Sequence, residues 1–207
     1  ASSASVLRAT AAGATARSST ATTINPKMTP KSIAYREARD SALNPNSLPI
    51  ILALDVTGSM SDLVHTAIKK YNLVIEEIVT KKAIPDPAMM TMFVDDVNFQ
   101  GADSLQVSQF ESDEKVAEQL AEMYITGDGG GNGSESYHLP LYMAAFKTRT
   151  DAFEKRGKKG YIFVTGDEYM PPALTPAQIK LVFGPDENVT ESMSYMDIFQ
   201  AASRMYH

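Results

Sequence analysis

The sequence predicts an α/β fold: a doubly wound, mostly parallel sheet with one antiparallel hairpin at its edge. Three observations predict it. The apolar run 48–56, containing Ile50, Ile51, Leu52 and Leu54, reads as a strand buried on both faces, and an amphipathic helical pattern follows it directly. A second apolar run, 161–165, stops at Gly166-Asp167. Elsewhere helical and strand patterns alternate, which is how a parallel sheet with helices on its faces is written in sequence. The 207 residues, 43% hydrophobic and 21% charged, suffice for one domain-sized core.

Residues 1–46 stand apart as a low-complexity basic arm. Ala, Ser and Thr dominate, Arg8, Arg17, Lys27, Lys31 and Arg36 are scattered through it, and no acid precedes Glu37. Such a stretch cannot build a core alone, so composition predicts a disordered or partner-bound arm, with an organellar transit peptide as the sharper alternative. Pro45, Asn46 and Pro49 punctuate the boundary to the folded domain, residues 47–207.

Within that domain, Thr57-Gly58-Ser59 turns the chain from the central strand into a helix whose stripe is Val64, Ile68, Tyr71, Ile75 and Ile78. Runs 90–97 and 105–110 are strand candidates joined by a turn over 98–104. A helix over 112–124 follows, with Ser112 as candidate cap and Val116, Leu120 and Met123 inward. The Gly-rich loop 127–136 leads into a helical pattern through Leu141, Ala145 and Phe146. Thr175-Pro176 opens a helix that stops at Gly184, and Ser194 with Asp197 opens the last, with Ile198, Ala202 and Met205 inward. No strand follows it, so the C-terminal strand of a doubly wound sheet is missing. The edge beside 161–165 is therefore expected to be open, filled by another chain or lost to truncation.

Charge and composition exclude several functions. A net charge of −6 and an isoelectric point near 5.1 argue against a nucleic-acid partner gripped through its phosphates. The absence of cysteine removes disulfides, thiolate zinc sites and cysteine nucleophiles, and favours a cytoplasmic setting. No apolar run approaches the ~20 residues of a membrane span.

Chemistry concentrates in three loops that such a fold places beyond the carboxyl ends of its strands. They are Asp55-Val56-Thr57-Gly58-Ser59-Met60, the run Gly129 to Glu135, and Thr165-Gly166-Asp167. All offer hard oxygen donors and none offers sulfur or imidazole, a set suited to Mg²⁺, with Mn²⁺ or Ca²⁺ as alternatives. Asp55, Thr57 and Ser59 alternate, so an extended turn aims all three at one centre while Gly58 lets the backbone bend. The ordinary readings compete: Ser59 as a helix cap, Asp167 as a turn residue, Glu135 as a first-turn acid. A cap needs one oxygen rather than three. Asp128 reads as a solvated loop acid, Asp95 and Asp96 as a charged sheet edge, and His65, His138 and His207 share no ligand spacing. A calcium EF-hand fails because its twelfth position would be Leu139, and no P-loop is completed.

The run "ILALDVTGSM" resembles the Asp-x-Ser/Thr-x-Ser signature of von Willebrand factor A domains. "GGGNGSES", followed by Leu141 and Ala145, is similar to the family subgroup, integrin β chains and α-kinase-linked A domains included, whose Gly-rich loop ends in Pro-Glu; Ser134 stands where that proline would be and Glu135 falls on the glutamate. "YIFVTGDEYM" resembles the third motif, with Asp167 on its aspartate. The resemblance spans about residues 48–207. It implies a Rossmann-like A-domain fold and a metal-ion-dependent adhesion site on Asp55, Thr57, Ser59, Glu135 and Asp167. Gly58, Met60, Asn132, Ser134 and Glu168 flank these donors as candidate partner contacts. The implied function is a non-enzymatic, Mg²⁺-dependent module that binds a partner's acidic residue within a multiprotein assembly, with an AAA+ ATPase among the implied partners. Two alternatives stand beside it. One is a metal-dependent hydrolase or phosphotransferase, although a dehalogenase-like enzyme would want an aspartate at Thr57 and a lysine near Asp167. The other is a structural assembly subunit in which the arm wraps a neighbour.

Overall fold

The computed structural model describes residues 21–60, 64, 66, 70, 73, 74, 77, 78, 81, 83–127, 131 and 133–207. In chain order its strands are β1 (Arg36–Ala38), β2 (Leu48–Asp55), β3 (Pro87–Val94), β4 (Leu105–Val107), β5 (Thr148–Thr150), β6 (Tyr161–Thr165), β7 (Ala173–Leu174) and β8 (Met193–Ser194). The main sheet has the order β4-β3-β2-β6. β2 is its central strand, parallel to β3 from Leu48↔Pro87 to Asp55↔Val94 and to β6 from Ile50↔Tyr161 to Leu54↔Thr165. β4 runs antiparallel on the outer side of β3. The fold is α/β with a mixed sheet.

Side-chain alternation explains why β2 and β3 read as unbroken apolar runs. Ile50, Leu54, Met89 and Phe93 point into one buried cluster, and Ile51, Ala53, Met90, Met92 and Val94 into another on the opposite face. Helices cover both. They are α1 (Val97–Gln100), α2 (Lys115–Glu122), α3 (His138–Phe146), α4 (Asp151–Arg156), α5 (Pro176–Phe183) and α6 (Tyr195–Ala202). Val116 and Leu120 of α2 close the first cluster with Val64, one of the helical residues between β2 and β3. Ile78 packs against the same cluster, while Ile68, Tyr71, Ile75 and His65 lie outside the described residues. Leu139 and Met143 of α3, Ile179 and Val182 of α5 and Ile198 of α6 fill the second.

Local signals placed several of these helices. Thr175 and Gln178 form a reciprocal capping box, Pro176 takes the first helical position and Gly184 ends α5. The Ser194 hydroxyl accepts the Asp197 N–H at 3.1 Å to start α6. Every residue of α3 from 138 to 144 is buried, and Pro140 sits in its first turn, where an N–H would have no helical acceptor. Other boundaries moved. The predicted turn over 98–104 is α1 followed by a 3-10 turn, Gly101–Asp103, and β3 ends at Val94. α2 begins at Lys115, whose N–H bonds the Asp113 carboxylate at 3.1 Å, so Ser112 is not its cap. The short elements β1, β5, α4, β7 and β8 carry too few residues to show a period.

The compositional boundary near residue 46 is not a packing boundary. Residues 1–20 of the predicted arm lie outside the described residues, but 21–46 lie against the domain. Met28 joins the cluster of Ile50 and Leu54, and Ile33 and Ala38 join the opposite one. Buried Arg36 donates from one guanidinium nitrogen to the carbonyls of Lys27 and Val107, both at 2.8 Å. β1 pairs in parallel with β5, Arg39 pairs with Asp151 at 2.8 Å, and Arg156 pairs with Asp40 at 2.6 Å. Isolated anchors of this kind have neither a two-residue nor a 3.6-residue period, so composition masked them.

Among the described residues, the edge beside β6 carries one parallel bridge, Gly160 to Tyr206, and the Ile162 N–H bonds the His207 carbonyl at 3.0 Å. Phe163 beside it is 53% exposed. Among the described residues, no helix is long and apolar enough to cross a membrane.

Because Met28 is 4% exposed within a core cluster, Met28→Ala leaves a cavity and lowers stability by about 2–5 kcal/mol. Urea denaturation of the full chain measures this; an unchanged midpoint would mean that the segment does not pack.

Candidate functional site

β2 ends at Asp55 and β3 at Val94, side by side, so the loops that follow them share one end of the sheet. Asp55 is fully buried. Its Oδ1 accepts the Thr57 N–H at 2.9 Å and the Thr57 hydroxyl at 2.6 Å, and its Oδ2 accepts the Tyr137 hydroxyl at 2.6 Å. The Thr57 hydroxyl proton therefore points back at the aspartate and the oxygen's lone pairs are left facing away. The Ser59 Oγ lies 3.4 Å from that oxygen and donates to Asp167 Oδ1 at 3.2 Å, across 108 residues of sequence. Loops one and three thus meet through Asp55, Thr57, Ser59 and Asp167.

The second loop supplies Glu135, 5% exposed, with Oε2 buried and without a hydrogen-bond partner. Thr57, Gly58, Ser59, Gly133, Glu135 and Glu168 line one cavity of about 210 Å³. Burial, reinforced by the charges of Asp55, Asp95, Asp96 and Glu168, pushes the Glu135 carboxyl up to about 8. Among the described residues, no three His, Asp or Glu side chains gather as a ready-made metal cluster. The donors that do converge mix the hydroxyls of Thr57 and Ser59 with the carboxylates of Asp167 and Glu135.

The flanking positions divide. Gly58 and Glu168 are exposed at the rim, and Ser134 bridges the backbone of Tyr169 beside it. Met60 is not at the rim with them: at 5% exposure it belongs to the buried cluster of Ile50, Leu54 and Phe93, at the end of the 3-10 turn Gly58–Met60. Asn132 and Asp128 lie outside the described residues. Asp95 and Asp96 are also corrected. They are 1% and 0% exposed, because the early end of β3 drops them into the loop beside Asp55 instead of onto an edge. Asp95 accepts the Thr126 hydroxyl at 2.5 Å, and Asp96 caps α1 by accepting the Asn98 N–H at 3.0 Å. Burial raises the Asp95 carboxyl above its ordinary value.

Sequence reasoning missed Tyr137 and Thr126. Both hold buried carboxylates, and neither falls on a stripe or in a motif. The one available signal was the aromatic lodged between the Gly-rich loop and α3.

Beneath the site, His138 is fully buried with its ring nitrogens near the backbone of Ser136 and Ala173 and no well-formed hydrogen bond. No known family profile, curated protein or solved structure matches the chain.

Burial holds the His138 imidazole down, from 6.5 to about 4. A depressed histidine stabilises the fold above pH 6.5 and loses that contribution as pH falls toward 4, since the unfolded chain takes the proton first. Glu135, raised to about 8, acts in the opposite sense over 4.5 to 8, so the comparison with a variant isolates the histidine. Between pH 7 and pH 4, His138→Leu gains on the wild type by on the order of 3 kcal/mol in urea denaturation. Parallel pH profiles for the two proteins would refute this.

Proposed function

We propose that the chain is a von Willebrand factor A-like, Mg²⁺-dependent protein-binding module with no enzymatic activity, and that its partner presents a carboxylate. The observation that carries the reading is the Ser59 hydroxyl within 3.2 Å of Asp167 Oδ1 and 3.4 Å of Thr57 Oγ1, which joins loops one and three at the carboxyl ends of parallel strands. The parallel trio β3-β2-β6, with antiparallel β4 at one edge, supports a Rossmann-like A-domain reading of the fold.

The residues fit a hard cation. Glu135 Oε2 is an orphaned buried acceptor in the cavity that Thr57 and Ser59 line, and a divalent ion would satisfy it. Thr57, Ser59, Glu135 and Asp167 would hold the ion. Asp55, with both oxygens occupied by hydrogen bonds, would instead orient the Thr57 hydroxyl. A bound Mg²⁺, or Mn²⁺ or Ca²⁺ in its place, would supply positive charge and a coordination position for a partner's carboxylate. Two neutral hydroxyls and two carboxylates leave room for one. Gly58, Ser134 and Glu168 form the rim that the partner would touch, and an AAA+ ATPase or a neighbour in a cytoplasmic assembly fits this mode of binding.

The test is a Mn²⁺ titration of the full chain followed by electron paramagnetic resonance. Wild-type protein binds one ion, and Asp167→Asn weakens binding by about tenfold or more. A wild-type chain that takes up no Mn²⁺ at millimolar concentration sinks the reading.

A further inference from the structure

Tyr137 touches all three loops at once. It follows the Gly-rich loop, donates its hydroxyl to Asp55 Oδ2 at 2.6 Å, and accepts the Glu168 N–H on the same oxygen at 3.3 Å. Its ring lies close against Gly166 of loop three. A Cβ built on Gly166 would stand 2.2 Å from the tyrosine Cζ and hydroxyl, so only glycine allows this approach. The residue is 8% exposed, so its hydroxyl is held among these protein partners.

Resting on the metal-binding reading above, we propose that Tyr137 is a positioning residue of the site. It locks the Asp55 carboxylate in the orientation that aims the Thr57 oxygen outward, and it ties that orientation to the placement of loop three. The chain of contacts is short. The Tyr137 hydroxyl fixes Oδ2, so Oδ1 is turned onto the Thr57 N–H and hydroxyl, and Thr57 presents its lone pairs to the cavity. Through Gly166 and the Glu168 N–H, the same ring sets the backbone on either side of Asp167, whose carboxylate meets Ser59. Remove the hydroxyl and Asp55 keeps its Thr57 bonds but loses the restraint on its other oxygen, and loop three loses one of its ties to loop two. Groups that orient ligands in this way contribute about ten- to a hundredfold to metal affinity without touching the ion.

The experiment compares Mn²⁺ affinity and thermal midpoint in wild type, Tyr137→Phe and Gly166→Ala, each as the full chain. Tyr137→Phe keeps the ring and removes only the hydroxyl; Gly166→Ala keeps the hydroxyl and pushes the ring away. Both variants are expected to raise the Mn²⁺ dissociation constant at least threefold, with about tenfold typical. The Tyr137→Phe midpoint in EDTA is expected to stay within a few degrees of wild type, a separation of affinity from stability that a purely structural tyrosine would not give. A Tyr137→Phe constant within threefold of wild type, or tighter binding, overturns the proposal while leaving the metal reading intact. If that variant fails to fold, Gly166→Ala decides by the same threshold. Wild-type protein that binds no Mn²⁺ overturns both.

Discussion

Negative charge buried at one end of a sheet is the constraint around which this molecule is built. Asp55, Asp95, Asp96 and Glu135 are each at most 5% exposed, and among the described residues no lysine or arginine is ion-paired with Asp55, Asp95 or Glu135. An ionised carboxylate withdrawn from water costs several kcal/mol unless its oxygens are satisfied. The loops meet that cost with oriented donors: Thr57 and Tyr137 on Asp55, Thr126 on Asp95, Ser136 on Asp96 at 3.3 Å. Glu135 is left over. Its raised proton affinity and its unpartnered oxygen are two expressions of one deficit of positive charge, and a proton or a cation can each relieve it.

The remainder of the fold keeps those loops from spreading apart. α3, buried along its whole inner and outer surface from 138 to 144, starts two residues after Ser136 and packs among α6, β3 and β5, so the second loop is anchored to a helix that has little freedom to move. On the other side, α2 and the residue Met28 seal the opposite face of β2. The result is a rigid scaffold bearing a polar site on its loops, the usual division of labour in α/β proteins.

What could be read from the amino-acid order depended on the length of each signal. β2 and α5 were legible because one is an eight-residue strand apolar up to its terminal Asp55 and the other carries Thr175, Pro176 and Gly184 at its two ends. Asp55, Thr57, Ser59 and Asp167 were legible as a group because alternation and strand-end position are local patterns. Tyr137 was not, since nothing adjacent to it indicates that its hydroxyl reaches an aspartate 82 positions earlier. Asp95 and Asp96 were misplaced for a related reason. Adjacent acids ordinarily belong in water, and only the register of β3 against β2 shows that they lie beside Asp55. Residues 21–46 were misjudged because composition measures average polarity, while docking there rests on single side chains such as Met28, Ile33 and Arg36.

The pairing of β1 with β5 has a mechanical corollary. The two strands run in the same direction, and their three rungs, Arg36↔Thr148 to Ala38↔Thr150, join the segment before β1 to the helices after β5. Tension between those two flanks draws the strands lengthwise past each other, so it loads all the rungs together instead of peeling them one by one. A tether attached ahead of β1 would therefore transmit pulling force into the domain with considerable resistance, whereas sideways prying at the same point would meet little.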